Sequence, residues 1–320
     1  QIFSVAAKVK KQYILFAVLA MSIYILGEAV NITRILKELG EKSKLISNIR
    51  YTLIGFFFSA ITPAASGGQP MEIYYMHKDD ISVANSTLAL LMQLCSLQIV
   101  TITVGTISAV IHFEVLKSGL IYLLILGIIL NSSALMLLII AIFSKRLSEG
   151  LIKFAVKLLK FFRIPNVEKK QEKLEKELES YQTSAKYIKE HKILMLKTVI
   201  TTVVQMIAYY SVPYWIYLAF GLTEYNIFEI LTLQAVLYAT VSGIPSPGAV
   251  GVSEGGFLGI FKNVFPETII SSAMLLTRGA NFYLFIIISA IIVMISTFRE
   301  KKIEKKQMQE TEVLTEKSEK

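Results

Sequence analysis

The chain has 320 residues, of which 54% are hydrophobic, and its mean hydropathy of +0.57 excludes an ordinary soluble globular protein. The net charge of +9 comes from basic residues that flank apolar runs, a pattern typical of membrane proteins rather than of nucleic-acid binding. The single cysteine, Cys95, excludes an internal disulfide, and three isolated histidines indicate no metal site, so no cofactor is expected.

Several apolar runs approach or exceed the length that crosses a bilayer as a helix, so we predict an all-α polytopic membrane protein. The first run extends from Tyr13 to Ile32. We expect Glu28, near its end, to lie at the membrane interface or to pair with Arg34. Basic residues within 33–50 indicate a cytoplasmic face, whereas the lysines at 8–11 leave the orientation of the first span open.

The first membrane half, residues 1–143, contains an interrupted element at residues 51–76. Its apolar arm (51–61) is too short to span, and it is followed by two prolines, two glycines and Glu72. A broken backbone at membrane depth persists only where protein buries it or where it lines a polar cavity. Two full spans are predicted after it, at residues 82–110 and 119–143.

Residues 144–192 are predicted to form a cytoplasmic amphipathic helical segment. Basic and apolar residues alternate at helical spacing over 151–164, which is typical of a helix lying on anionic lipid headgroups. The charged helix that follows carries one apolar stripe. This stripe suits docking against a neighbouring helix or a partner, and a solvated connection is the alternative.

The second membrane half, residues 193–298, repeats the pattern. A span at 193–218 ends in an aromatic cluster interpreted as an outer interface belt. An apolar arm then leads into a second interrupted element at 242–261. The cluster comprises Tyr209, Tyr210, Tyr214, Trp215 and Tyr217.

The two interrupted elements share a spacing. Pro63 precedes Glu72 by the same nine residues that separate Pro245 from Glu254. Paired segments of this kind indicate a transporter's substrate site. Tight helical hairpins alone would explain the breaks, but not an acid at the same offset in each.

Arg278 lies inside the last span (269–298), with Asn281 on nearly the same helical face. Three unpaired membrane charges, Glu72, Glu254 and Arg278, would cost roughly 8–10 kcal/mol on insertion scales, so we expect them to converge on one polar cavity. There the carboxylates would hold an ammonium group and the arginine a phosphate. The predicted substrate-binding residues are Gly67, Gly68, Glu72, Pro245, Pro247, Gly248, Gly251, Glu254, Arg278 and Asn281.

Loop charges predict the topology. Residues 33–50, 144–192 and the C-terminus lie inside, while 111–118 and 219–226 lie outside. Each interrupted element is then a re-entrant hairpin, the two entering from opposite faces in inverted-repeat-like halves. The tail at 299–320 has mixed charge and is predicted to be disordered.

The motifs at residues 63–70 (PAASGGQP) and 245–255 (PSPGAVGVSEG) resemble those of the lysylphosphatidylglycerol synthase transmembrane-domain, or flippase-like, family. That family is the membrane half of the bacterial multiple peptide resistance factor. The resemblance implies a multi-pass protein of the bacterial cytoplasmic membrane that moves aminoacylated phosphatidylglycerol to the outer leaflet and so confers resistance to cationic antimicrobial peptides. It also implies a helix preceding Gln1. Gln93 and Leu94 stand where the family often has an acidic–basic pair.

Three functions are compatible with these residues. A lipid flippase is favoured. A phosphatidylglycerol lysyltransferase using lysyl-tRNA is the activity in the family's name, but no catalytic domain for it is recognisable here, so the chain is not expected to be an enzyme by itself. A non-transporting membrane scaffold is the third. A homodimer is left open.

Overall fold

The computed structural model describes residues 9–112, 120–146, 149, 150, 153, 157, 167–244 and 246–299. Pro245, most of the amphipathic segment 151–164 and all but the first residue of the tail 299–320 lie outside the described residues. The predictions made for these segments, including the anionic-lipid surface at 151–164, therefore stay predictions.

Within this part of the chain the fold is all-α, as predicted. The ten helices are α1 (Lys11–Glu38), α2 (Leu45–Ile61), α3 (Gly68–Lys78), α4 (Val83–Ile111), α5 (Leu120–Phe143), α6 (Val167–Glu190), α7 (Lys192–Ala219), α8 (Ile227–Val241), α9 (Val252–Ile260) and α10 (Ile270–Arg299). Five of them, α1, α4, α5, α7 and α10, are long and apolar enough to cross a membrane. The five predicted spans are thereby confirmed to within a few residues.

The shorter helices form two hairpins. Hairpin A consists of α2, a 3-10 turn at Pro63–Ala65, and α3. Hairpin B consists of α8, a 3-10 turn at Pro247–Ala249, and α9. Hairpin A begins at Leu45 and hairpin B at Ile227. Both are therefore longer than the predicted elements 51–76 and 242–261, because the helix before each break begins earlier in the chain.

Each hairpin begins and ends at the same end of the helix bundle. Arg50 near the start of α2 forms an ion pair with Asp79 just after α3. At the open end of hairpin B, the Tyr225 hydroxyl donates to the Asn263 carbonyl at 3.1 Å. Hairpin A opens at the end that carries most of the basic residues, hereafter the basic end, and hairpin B opens at the other end.

The tips of the two hairpins meet, since the two 3-10 turns contact each other. Several tip residues, among them Ile61, Pro63 and Ser66, are exposed in the structure, so the irregular backbone there borders open space as well as protein. A re-entrant hairpin is defined by the bilayer it enters, so that part of the prediction stays a prediction.

The first span also acquires a direction within the bundle. The Lys10 amide donates to the Ala219 carbonyl at 3.0 Å, so α1 starts where α7 ends, at the end opposite the basic end. The two helices then run side by side in close contact. Gly27 permits this approach, because a Cβ there would lie 2.9 Å from the Gln205 Cβ.

Helix α6 docks on the bundle at the basic end, so the docking interpretation of its apolar stripe is confirmed. Ala185 and Ile188 are buried in the same apolar cluster as residues of α4. The Tyr181 hydroxyl donates to the Ala141 carbonyl at 2.8 Å, and Glu177 accepts from the Ala84 amide at 2.9 Å. The Glu177 carboxylate thus satisfies an otherwise free amide in the first turn of α4.

Candidate functional site

The tip of hairpin B owes its shape to glycine. Gly248 (φ +59°) and Gly251 (φ +84°) adopt left-handed backbone conformations that side chains disfavour. A Cβ at Gly248 would also overlap the Phe282 ring of α10. This conformation turns the chain into α9, whose first turn carries Glu254, and Glu254 Oε2 accepts from the Gly251 amide at 2.6 Å.

Arg278 joins α10 to this tip. Its Nε donates to Glu254 Oε1 at 2.8 Å, and its Nη2 donates to the Gly248 carbonyl at 2.9 Å. The guanidinium also lies over the Phe282 ring, 4.0 Å from its centroid. The side chains of Arg278 and Glu254 are 9% and 17% exposed, so this is a largely buried charged pair held by hydrogen bonds on both partners.

A central cavity of about 320 Å³ lies beside the pair. Its walls come from both hairpin tips and from α1, α2, α7, α8 and α10. Arg278, Asn281 and Gly248 line it. The volume falls at the lower end of the range for small-molecule sites, which suits a lipid headgroup better than a whole lipid.

Several polar atoms in this wall have no protein partner among the described residues. They are Gln234 Oε1, Ser246 Oγ, Thr277 Oγ1 and Asn281 Oδ1. Among the described residues Arg278 makes two hydrogen bonds, through Nε and Nη2, and its Nη1 has no partner there. Because buried polar groups are nearly always hydrogen-bonded, these four atoms mark a polar part of the wall whose partners the protein itself does not supply among the described residues.

Three tyrosines complete the wall: Tyr24, Tyr209 and Tyr238. The ring of Tyr209 lies 5.2 Å from that of Tyr24 and 5.4 Å from that of Tyr238, measured between centroids. Aromatic faces of this kind attract ammonium groups. The interpretation of residues 209–217 as an interface belt is wrong for Tyr209, which lines the cavity, and for Tyr210 and Tyr217, which are buried.

The structure thus brings together Glu254, Arg278 and Asn281 with Gly248 and Gly251, and it places Pro247 in the 3-10 turn beside them. Gly67 and Gly68 lie in the tip of hairpin A. There the Gly67 amide donates to Thr62 Oγ1 at 2.9 Å, and Gly68 leaves room for the Ser59 hydroxyl. Pro245 lies outside the described residues.

Glu72 is placed differently. It does not line the central cavity, and its side chain packs under α2, where a Cβ on Gly55 would overlap the carboxyl group. The residue is 3% exposed, and Oε2 has no hydrogen-bond partner in the part of the chain described.

Glu28 was missed as a candidate. Arg34 donates to Asn31 Oδ1 at 2.9 Å and to the Lys197 carbonyl at 3.0 Å, so the predicted pairing of Arg34 with Glu28 is wrong. The sequence does indicate which face of α1 carries Glu28: the residue follows Tyr24 by four positions and therefore lies on the same helical face.

Known membrane proteins resemble this chain over most of its length. Residues 1–289 match the family described as lysylphosphatidylglycerol synthase TM region. A relative from Archaeoglobus fulgidus, named UPF0104 membrane protein, is 24% identical over 276 residues, which cover 82% of this chain and 80% of that protein. No solved structure matches the chain. The matched region contains both hairpins and the Arg278–Glu254 pair.

Proposed function

This chain belongs to the lysylphosphatidylglycerol synthase TM region family, and on that premise we propose that it is a flippase. In this proposal the multi-pass membrane protein moves lysyl-phosphatidylglycerol, or a related charged phospholipid, between leaflets. The observation that carries the proposal is the central cavity, where a guanidinium and unpaired polar groups meet between two hairpins of opposite direction.

The cavity supplies groups for both charges of a lysyl-phosphoglycerol headgroup. Nη1 of Arg278 is free to donate to a phosphate oxygen, while Glu254 and the Gly248 carbonyl fix the orientation of the guanidinium. In this proposal the ammonium group lies against the part of the wall formed by Gln234, Asn281 and the tyrosine rings, and the side chains of Gln234 and Asn281 turn their buried amide oxygens towards it. Because Glu254 is already bound to Arg278, neutral oxygens and tyrosine faces hold the ammonium in this proposal.

The hairpins provide a route for alternating access. In this proposal hairpin A closes the cavity towards the basic end and hairpin B closes it towards the other end, so that withdrawal of one tip opens one side only. Apolar side chains cover the outside of the spans, and acyl chains can remain in the hydrocarbon while the headgroup crosses. In this proposal the basic end faces the cytoplasm, in keeping with the positive-inside rule, and the protein lies in the cytoplasmic membrane with its C-terminus inside.

The test is lipid movement in proteoliposomes made with lysyl-phosphatidylglycerol in one leaflet. An impermeant amine-reactive dye counts the lipid that reaches the other leaflet. We expect Arg278→Gln to slow this movement about 10- to 100-fold, because a hydrogen bond to a charged group contributes about 1.5–3 kcal/mol. The matched control is Lys262→Gln, which removes a charge from an exposed position. Equal rates for the wild type and a folded Arg278→Gln variant would refute the proposal.

The same preparation distinguishes the alternatives. Synthesis of lysyl-lipid from phosphatidylglycerol and lysyl-tRNA would favour a lysyltransferase. A folded wild type that moves no lipid would favour a scaffold.

A further inference from the structure

A second cavity, of about 210 Å³, lies at the basic end, where the chain passes from α1 into α2. Residues 42–44, the first turns of α2, the segment after α3 and Arg299 at the end of α10 form its lining. None of these residues lines the central cavity, so the proposed lipid route does not use it. Its volume lies below the range of about 300–1,000 Å³ for small-molecule pockets, which suits one compact group such as a phosphate.

Positive charge dominates this lining. The cationic side chains that border the second cavity are Lys42, Lys44, Arg50 and Arg299. The acid in the lining, Asp79, is already bound, since Arg50 forms an ion pair with it and the Tyr51 hydroxyl donates to it. Lys42, Lys44 and Arg299 form no ion pair with any described residue. Three positive charges therefore remain without a counter-charge in that part of the chain.

The backbone and a buried hydroxyl add hydrogen-bond donors to the same cavity. Helix α2 begins here, and its N-cap residue, Lys44, makes no side-chain bond to the first-turn amides. That turn contains no acid, so the positive end of the helix dipole is uncompensated there. Ser43, which is 6% exposed, accepts from Asn48 Nδ2 at 2.6 Å, and its own hydrogen has no acceptor among the described residues. Cations and donors arranged in this way are the complement of a phosphate.

Exposed apolar side chains flank the second cavity. Ile46, in the first turn of α2, is 73% exposed, and Phe298, next to Arg299, is 71% exposed. In a protein with apolar spans, apolar residues beside cationic ones mark the level at which acyl chains meet headgroups. The arrangement therefore favours the phosphate of a phospholipid over a phosphate in solution.

We propose that the second cavity is an anion site that binds the phosphate of an anionic phospholipid at the basic end of the bundle. Lys42, Lys44 and Arg299 attract the phosphate, while the Ser43 hydroxyl and the first amides of α2 donate to it. The bound lipid connects the open end of hairpin A to the end of α10, and it thereby stabilises their packing. The hydroxyls of Tyr75 in α3 and Thr297 in α10 already join these elements at 3.1 Å. The site is separate from the central cavity, and it stands whether or not the chain moves lipid.

Native mass spectrometry of the purified chain in a non-ionic detergent tests the site without any lipid movement. Dioctanoyl-phosphatidylglycerol and inorganic phosphate are the separate probes, titrated at constant ionic strength. We expect the Lys42→Gln/Lys44→Gln double variant to bind the phospholipid about 10- to 30-fold more weakly than the wild type, since each lysine beside an anionic headgroup contributes about fivefold. Both lysines are exposed, so the variant should fold. The matched control, Lys192→Gln/Lys197→Gln, removes two exposed charges from the same end of the bundle.

Ser43→Ala separates a built site from general attraction to a basic surface, because it removes the buried hydroxyl without changing any charge. We expect it to weaken phospholipid binding about 2- to 10-fold, and its melting temperature checks that it is folded. If it does not fold, the two lysine variants decide the question.

Equal weakening in the two lysine double variants would overturn the proposal, and so would unchanged binding in both Lys42→Gln/Lys44→Gln and a folded Ser43→Ala. The two probes distinguish the sources of the phosphate. Tighter binding of the phospholipid than of inorganic phosphate supports the lipid site, whereas variant-sensitive binding of inorganic phosphate alone would overturn the lipid assignment in favour of a free phosphate.

Discussion

Replacing Arg278 by glutamine breaks the link between α10 and the tip of hairpin B. The change removes the 2.8 Å bond to Glu254 and the 2.9 Å bond to the Gly248 carbonyl, and it leaves the Glu254 carboxylate with the Gly251 amide as its remaining donor. Removing one partner of a buried ion pair lowers the free energy of unfolding by about 3–5 kcal/mol. Because the side chains of Arg278 and Glu254 are still 9% and 17% exposed, we expect a loss of stability at the lower end of this range, about 3 kcal/mol.

Glu254→Gln should cost a similar amount, since it leaves the guanidinium without its counter-ion. The double variant contains no uncompensated charge, so it should lose only about 1–2 kcal/mol, well short of the sum of the singles. The measurement is the free energy of unfolding in mixed micelles, with Lys262→Gln as the surface control. If the loss in the double variant equals the sum of the two single losses, the two side chains do not interact. The pair would then not link α10 to the tip of hairpin B.

Three further predictions follow from local features. Gly55→Ala should destabilise the protein by about 1–3 kcal/mol in the same unfolding assay, because the added methyl overlaps the Glu72 carboxyl; a neutral result would mean that this packing is loose. Asn226→Ala should cost about 1 kcal/mol because it removes the capping box of α8, and Asn226→Asp should restore the stability. Burial lowers the pKa of His112, at the end of α4, below its ordinary value of 6.5. The unfolded chain then binds the proton more readily, so stability is complete above pH 6.5 and falls as the pH drops through the lower folded pKa; unfolding at pH 5 and pH 8 should show this in wild type and much less in His112→Gln.

The interrupted elements illustrate how far a pattern in the sequence reaches. Proline and glycine at residues 63–70 and 245–255 predicted two breaks, and each break is a 3-10 turn at the tip of a hairpin. The common offset of the two acids predicted equivalent roles for Glu72 and Glu254. Their surroundings differ, since Glu254 has a guanidinium partner, whereas Glu72 is buried under α2 and its Oε2 has no partner among the described residues.

Apolar run length, helix-breaking residues and loop charge are local properties, so they determined the spans, the breaks and the predicted direction of insertion from the sequence alone. The partner of a buried charge depends instead on how helices pack. Arg278 reaches Glu254 because Gly248 lets α10 approach the hairpin tip, and Glu72 packs under α2 because Gly55 leaves room for its carboxyl group. Contacts between such distant segments arise from close packing in three dimensions, and only the tertiary structure decided them.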